Sequence, residues 1–210
     1  MQLLKKWSIV LSGVIVILAI YFSVFFYCLT PKVALVPLGE VDSSYLFLVE
    51  NTLEEYYRVK VEVMPTTPLP DYAYYPPRKR YRADKILSEY SLQHFWSHHK
   101  VMAITEKDIS VTKGGFTDYG ILGYAQIRGR ASVISTFRCG RKVSERKKKE
   151  RIAKNALHEL GHAFGLQHCD GNTTCFMNDA KGKMSTIDKE SMELCEDCRW
   201  QIEDIVRGNR

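Results

Sequence analysis

The stretch His158-Glu159-Leu160-Gly161-His162-Ala163-Phe164-Gly165-Leu166-Gln167-His168 decides how the rest of the chain is read. His158 and His162 are four residues apart, so a helix places both imidazoles on one face, one above the other. Ile152, Ala153, Ala156, Leu157, Leu160 and Phe164 recur at three- and four-residue spacing, which predicts an amphipathic helix packed on the domain along one side. Ser144 caps its start, and Gly165 suits a left-handed stop at its end. With the chain turned there, His168 can swing back as a third ligand. Three imidazoles leave a fourth position open, as a catalytic zinc site requires.

Glu159 follows the first histidine directly and serves as the general base of the expected reaction. Zinc lowers the pKa of its water to about 7 and polarises a carbonyl. Glu159 then takes a proton from the zinc-activated water and passes it to the leaving amine. The expected reaction is peptide-bond hydrolysis with no covalent intermediate. A reading from another class is a catalytically silent, membrane-anchored zinc-binding domain that binds peptides.

Outward from this run, cysteines come next. Cys169 and Cys175 form one local pair, and Cys195-Glu196-Asp197-Cys198 holds a second. Four thiolates in two pairs can close a structural zinc site that pins the loop after His168 to the last helix. Two disulfides, or one disulfide and two free thiols, are the alternative. Cys28 and Cys139 read as small buried or lipid-facing residues.

The segment His158 to Cys198 resembles the archaemetzincins, a family of metzincin zinc metallopeptidases. The residues that carry the resemblance are His158, Glu159, His162, Gly165, His168, Cys169, Cys175, Met177, Cys195 and Cys198. Seventeen residues separate Met177 from Cys195, as in the family; five lie between Cys169 and Cys175, where the family usually has four. The resemblance implies an α/β fold, a compact metzincin-like zincin domain with a twisted mixed sheet and an active-site helix. It implies His158, His162 and His168 on catalytic zinc, with Met177 as the Met-turn residue beneath the metal. It also implies Cys169, Cys175, Cys195 and Cys198 on a structural zinc, giving two zinc ions per chain.

Upstream, strands are predicted over 33–38, 59–64, 101–104, 122–127 and 131–136, with helices over 44–57 and 83–98. Pro65 to Arg80 holds five prolines and three tyrosines and reads as a loop. Gly114-Gly115 reads as a turn, and 196–206 as a last helix. His94, His98 and His99 read as helix-end residues. With 210 residues, 45% hydrophobic and 26% charged, the chain suits one globular domain plus a short extra element.

That extra element is the start of the chain. Trp7 to Thr30 carries no charge and exceeds the roughly 20 residues that span a bilayer as a helix. It predicts an N-terminal transmembrane helix within residues 1–30, inserted in lipid through residues 7–30, followed by a peptidase domain over 31–210. Lys5 and Lys6 before the span, against Lys32 after it, predict a single-pass membrane protein with an extracytoplasmic catalytic domain. The expected partners are a peptide or protein substrate and the bilayer, with the chain a monomer.

The net charge of +6 resides in Arg141 to Lys154, where eight basic residues stand against Glu145 and Glu150. These charges read as a solvated helix face, or as a contact for anionic lipid or an acidic partner. No basic and aromatic interleaving points to nucleic acid.

Overall fold

A computed structural model of the chain describes residues 30–91 and 97–206, with side chains described up to residue 204. The chain divides into two units, residues 1–31 and 32–210, and the account below concerns the second.

Its centre is a five-stranded mixed sheet in the order β2-β1-β5-β9-β8. The strands are β1 (Lys32–Pro37), β2 (Lys60–Val63), β5 (Lys100–Thr105), β8 (Gly123–Ala125) and β9 (Ala131–Ser135). β2, β1, β5 and β9 run parallel, and β8 joins β9 antiparallel as an edge strand. Alternation along each strand sorts side chains to the two faces. Val33, Leu35, Met102 and Ile104 enter one core, while Ala34, Val36, Val101 and Ala103 enter the other. Both faces are covered, which is why β1 and β5 read as unbroken apolar runs.

Helices α1 (Ser43–Tyr57) and α3 (Glu145–Phe164) cover the first face. The Asp42 carboxylate caps α1 by accepting from Ser44 N at 2.8 Å. Val49, Leu53 and Tyr57 recur every four residues and form its buried stripe. The Ser144 hydroxyl accepts from Lys147 N at the start of α3. At the far end Gly165 takes φ 121°, a conformation that a side chain disfavours.

The second face carries α2 (Ala83–Tyr90) and a second sheet in the order β3-β4-β6-β7. Its strands are β3 (Tyr74–Tyr75), β4 (Arg80–Arg82), β6 (Ile109–Lys113) and β7 (Phe116–Ile121). Sequence reasoning took 65–80 for a loop and saw only the Gly114-Gly115 turn of the β6–β7 hairpin. Ile109 and Val111 of β6 enter the second core, and buried charges tie the neighbouring strands together. Asp108 accepts from Arg80 Nε at 2.8 Å and Arg138 Nε at 2.6 Å, and Asp118 accepts from Arg80 Nη1 at 2.8 Å.

Two short elements close the chain, α4 (Met184–Ile187) and α5 (Glu196–Val206). The helix expected over 83–98 ends at Tyr90 among the described residues, and residues 92–96, with His94, lie outside them. His98 and His99 precede β5. The His99 ring accepts from Lys32 N at 3.0 Å, so it ties the strands' start.

The membrane-spanning helix expected over residues 7–30 falls, apart from Thr30, outside the described residues. Among the described residues no helix is long and apolar enough to cross a membrane. The longest, α3, has 20 residues but carries a run of lysines and arginines through its first half. The expected membrane localisation, with an extracytoplasmic catalytic domain, is corrected on that finding. The basic run is also turned inward more than its sequence suggests. Lys147 and Lys154 donate to Glu150, Lys148 donates to Tyr45 Oη, and Arg151 makes two bonds to Asp188.

Candidate active site

Helix α3 supplies His158 and Glu159 side by side and His162 one turn further on. His158 Nδ1 donates to the Phe176 carbonyl at 2.7 Å, and His162 Nδ1 donates to the Leu166 carbonyl at 2.7 Å. With the Nδ1 proton engaged, each ring keeps its Nε2 lone pair for a metal. The reversal at Gly165 makes this possible. Leu166 N bonds back to Gly161 O at 2.9 Å, so the Leu166 carbonyl meets His162 and the chain returns His168 to the same side. His162 Nε2 and His168 Nε2 stand 3.2 Å apart. One ring nitrogen from each of the three histidines lies within 4.8 Å of the others. Burial, then the neighbouring His162, pushes the His158 pKa down to about 3, so the neutral ligand form prevails. This donor set and its convergence fit a zinc ion.

Glu159 is buried at 6% exposure, and burial raises its pKa to about 8. Gly123 of the edge strand packs on it, where a Cβ would lie 2.5 Å from Glu159 Cγ. Asn155, one helical turn before Glu159, donates to the Leu122 carbonyl at 3.0 Å and holds that strand in place. Arg128 N donates to the His162 carbonyl at 2.9 Å. Lys100 Nζ reaches the Ala163 carbonyl at 2.7 Å and the Gly129 carbonyl at 2.9 Å. It thus places a cation at the C-terminal end of α3, where the helix dipole favours one. Sequence reasoning missed Asn155 and Lys100, because single polar residues in apolar runs carry no periodic signal.

Met177 is fully buried beneath α3, its sulfur against Gly161, where a Cβ would come within 2.7 Å of Sδ. Its carbonyl accepts from Cys169 N at 2.8 Å, which joins the Met177 segment to the first cysteine. Beyond it the sulfurs of Cys169, Cys175, Cys195 and Cys198 lie within 4.8 Å of one another. All four are free thiols, and the Cys169 and Cys195 sulfurs are 3.6 Å apart. Burial raises the Cys175 thiol, whereas hydrogen bonds from Cys198, Cys169 and Cys175 outweigh burial and hold Cys195 below its ordinary value. Four soft donors in one closed cluster fit a structural zinc.

The histidines open into a cleft of about 480 Å³ between β7, β8, α3 and the 178–190 segment. Tyr119, Tyr124, Met184 and Ile187 line it along with Glu159 and Glu190.

Residues 73–204 match Peptidase family M54. The archaemetzincin of Haloarcula marismortui is 31% identical over 178 residues, covering 81% of this chain and 98% of that protein. That of Natronomonas pharaonis is 30% identical over 178 residues, with the same coverage. Among solved structures, archaemetzincin from Methanopyrus kandleri superposes with a TM-score of 0.73 at 26% identity, covering 85% of this chain and 97% of that one. Archaemetzincin from Archaeoglobus fulgidus, complexed with malonate, gives 0.68 at 26% identity, covering 81% and 99%. The match runs through both the sheet and the histidine helix, and the chain belongs to the archaemetzincins, peptidase family M54, as a zinc metallopeptidase.

Proposed function

We propose that His158, His162 and His168 hold a catalytic zinc and that Glu159 is the general base of peptide-bond hydrolysis. When bound, zinc supplies a Lewis-acidic charge that acidifies a water and polarises the scissile carbonyl. The chain's own part is positional and protolytic. The Phe176 and Leu166 carbonyls fix the two helical imidazoles in the ligating tautomer. Glu159, held against Gly123, takes the proton of the attacking water and delivers it to the departing amine nitrogen. Its dry surroundings favour a carboxyl that can carry that proton.

The observation that carries this reading is the convergence of three histidines and Glu159 on one cleft. Glu159→Gln is the test, since it keeps the shape and removes the base. On a peptide library kcat should fall by roughly a hundredfold or more, with zinc content unchanged. Equal cleavage by wild type and variant would remove Glu159 from the role.

We further propose that Cys169, Cys175, Cys195 and Cys198 hold a second, structural zinc, so that residues 31–210 form a peptidase domain with two metals. Met177 is the Met-turn residue beneath the first. Because every site residue comes from one chain, a monomer suffices. Metal analysis of the purified chain should give two zinc ions; one zinc with all four thiols titratable would refute the second site.

A further inference from the structure

Glu190 is the unexplained carboxylate of the cleft. It is only 6% exposed, lines the cleft with the histidines, and its Oε1 is buried without a hydrogen-bond partner. A buried acceptor left unpaired costs free energy, and an ionised carboxylate accepts only. Most other charges around it are already engaged. Lys154 Nζ bonds Glu150 at 2.6 Å and the Ile187 carbonyl at 3.1 Å. Arg138 is held by Asp108 through two bonds. The Arg141 guanidinium lies over the Phe137 ring. Burial pushes the Glu190 carboxyl up to about 7, with Lys154 only partly opposing.

We propose that Glu190 is a specificity-determining residue whose carboxylate receives a cationic group of the peptide at the end of the cleft beside Lys154. Lys154 stands on α3 one turn before His158, so this subsite flanks the reacting centre. Met184 and Ile187 line the same cleft and can flank an aliphatic stem that delivers a charge to the carboxylate. A lysine or arginine side chain and a free N-terminal ammonium share this chemistry. A charge-assisted hydrogen bond to either satisfies the orphaned oxygen. The inference rests on the peptidase reading of the same cleft.

The test uses the full zinc-loaded chain and three matched peptides. One is N-acetylated with a lysine flanking the scissile bond, the second carries norleucine in its place, and the third is the norleucine peptide with a free N-terminus. Turnover is read as kcat/KM in wild type, and binding by calorimetry in Glu159→Gln. One cationic peptide should be preferred to the acetylated norleucine peptide by about tenfold in both readouts. Preference for the lysine peptide identifies a side chain as the occupant; preference for the free amine identifies the N-terminus. Glu190→Gln should collapse the ratio to near one, and Glu190→Asp should restore part of it. Equal treatment of all three peptides by the wild-type chain overturns the subsite without any variant having to fold. Selective binding with no turnover supports the subsite and overturns the hydrolytic reading. Turnover without selectivity overturns the subsite alone.

Discussion

Glu159 and Gly123 are packed so closely that no methyl group fits between them: a Cβ at position 123 would lie 2.5 Å from Glu159 Cγ and 2.6 Å from Oε1. The edge strand therefore limits where the Glu159 carboxylate can sit. Gly123→Ala must displace either the strand or the acid. The expected outcome is a loss of kcat of about tenfold or more with zinc content unchanged, since none of the three histidines is touched. Activity within twofold of wild type would show that the carboxylate does not need this support.

Beneath the histidines the packing is equally tight. A Cβ at Gly161 would meet Met177 Sδ at 2.7 Å and Tyr57 Oη at 3.0 Å. Tyr57 cannot yield freely, because its hydroxyl donates to the Leu157 carbonyl at 2.7 Å. Gly161→Ala should cost about 1–3 kcal/mol by overpacking. Met177→Leu, near in volume, should cost less than about 1.5 kcal/mol, whereas Met177→Ala should cost about 2–5 kcal/mol. Urea unfolding of the four proteins gives the order directly.

The pH dependence of stability should carry the signature of Glu190. Its pKa rises from 4.5 to about 7 through burial, with Lys154 opposing. Between those values the folded chain holds a proton that the unfolded chain has lost, so its contribution to stability falls as pH rises. Below 4.5 both forms are protonated and the penalty vanishes; above 7 it is full. Glu190→Gln should thus be more stable than wild type at pH 8 by about 2 kcal/mol, and the difference should close towards pH 4.5. A difference that stays constant from pH 4.5 to 8 would contradict the assignment.

Metal removal should separate the two clusters. The cysteines tie the 169–178 loop to α5, with the Cys169 amide on the Met177 carbonyl and the Cys195 amide on the Cys175 sulfur. Strong chelation should lower Tm by far more than loss of the histidine-bound ion alone, because the free energy of a structural zinc is folding free energy. Cys198→Ser should lower Tm before any chelator is added. His168→Ala should abolish hydrolysis with a smaller change in Tm. Equal Tm values for wild type and Cys198→Ser would count against a structural metal.

Legibility in the sequence followed periodicity. Helix α3 was readable from end to end because Ser144, the apolar spacing and Gly165 all agree on one element. β1 and β5 were readable as apolar runs. The second sheet was not: Arg80–Arg82 is short and half-exposed, and it pairs with β6 while Arg80 is held by Asp108 and Asp118, 28 and 38 residues away. The histidines and cysteines came forward through local spacing. Lys100, Asn155 and Glu190 did not, since each acts through one long-range contact. Residues 7–30 show the opposite risk, where an apolar run alone carried a localisation that no described helix supports.

The floor under α3 is built across the full span of the chain. Tyr57 reaches Leu157 and Tyr56 accepts from the Leu194 amide, contacts separated by 100 and 138 residues. Closing such long loops costs entropy that only the finished packing returns. During synthesis Tyr56 and Tyr57 emerge before the histidine helix, whereas Met177, Leu194 and the last cysteines follow it. A chain stopped at residue 190 should be inert, even though it already carries every histidine and Glu159. Cleavage of a peptide library by that truncated chain at the wild-type rate would show that the end of the chain around Cys195 and Cys198 is not needed by the histidine site.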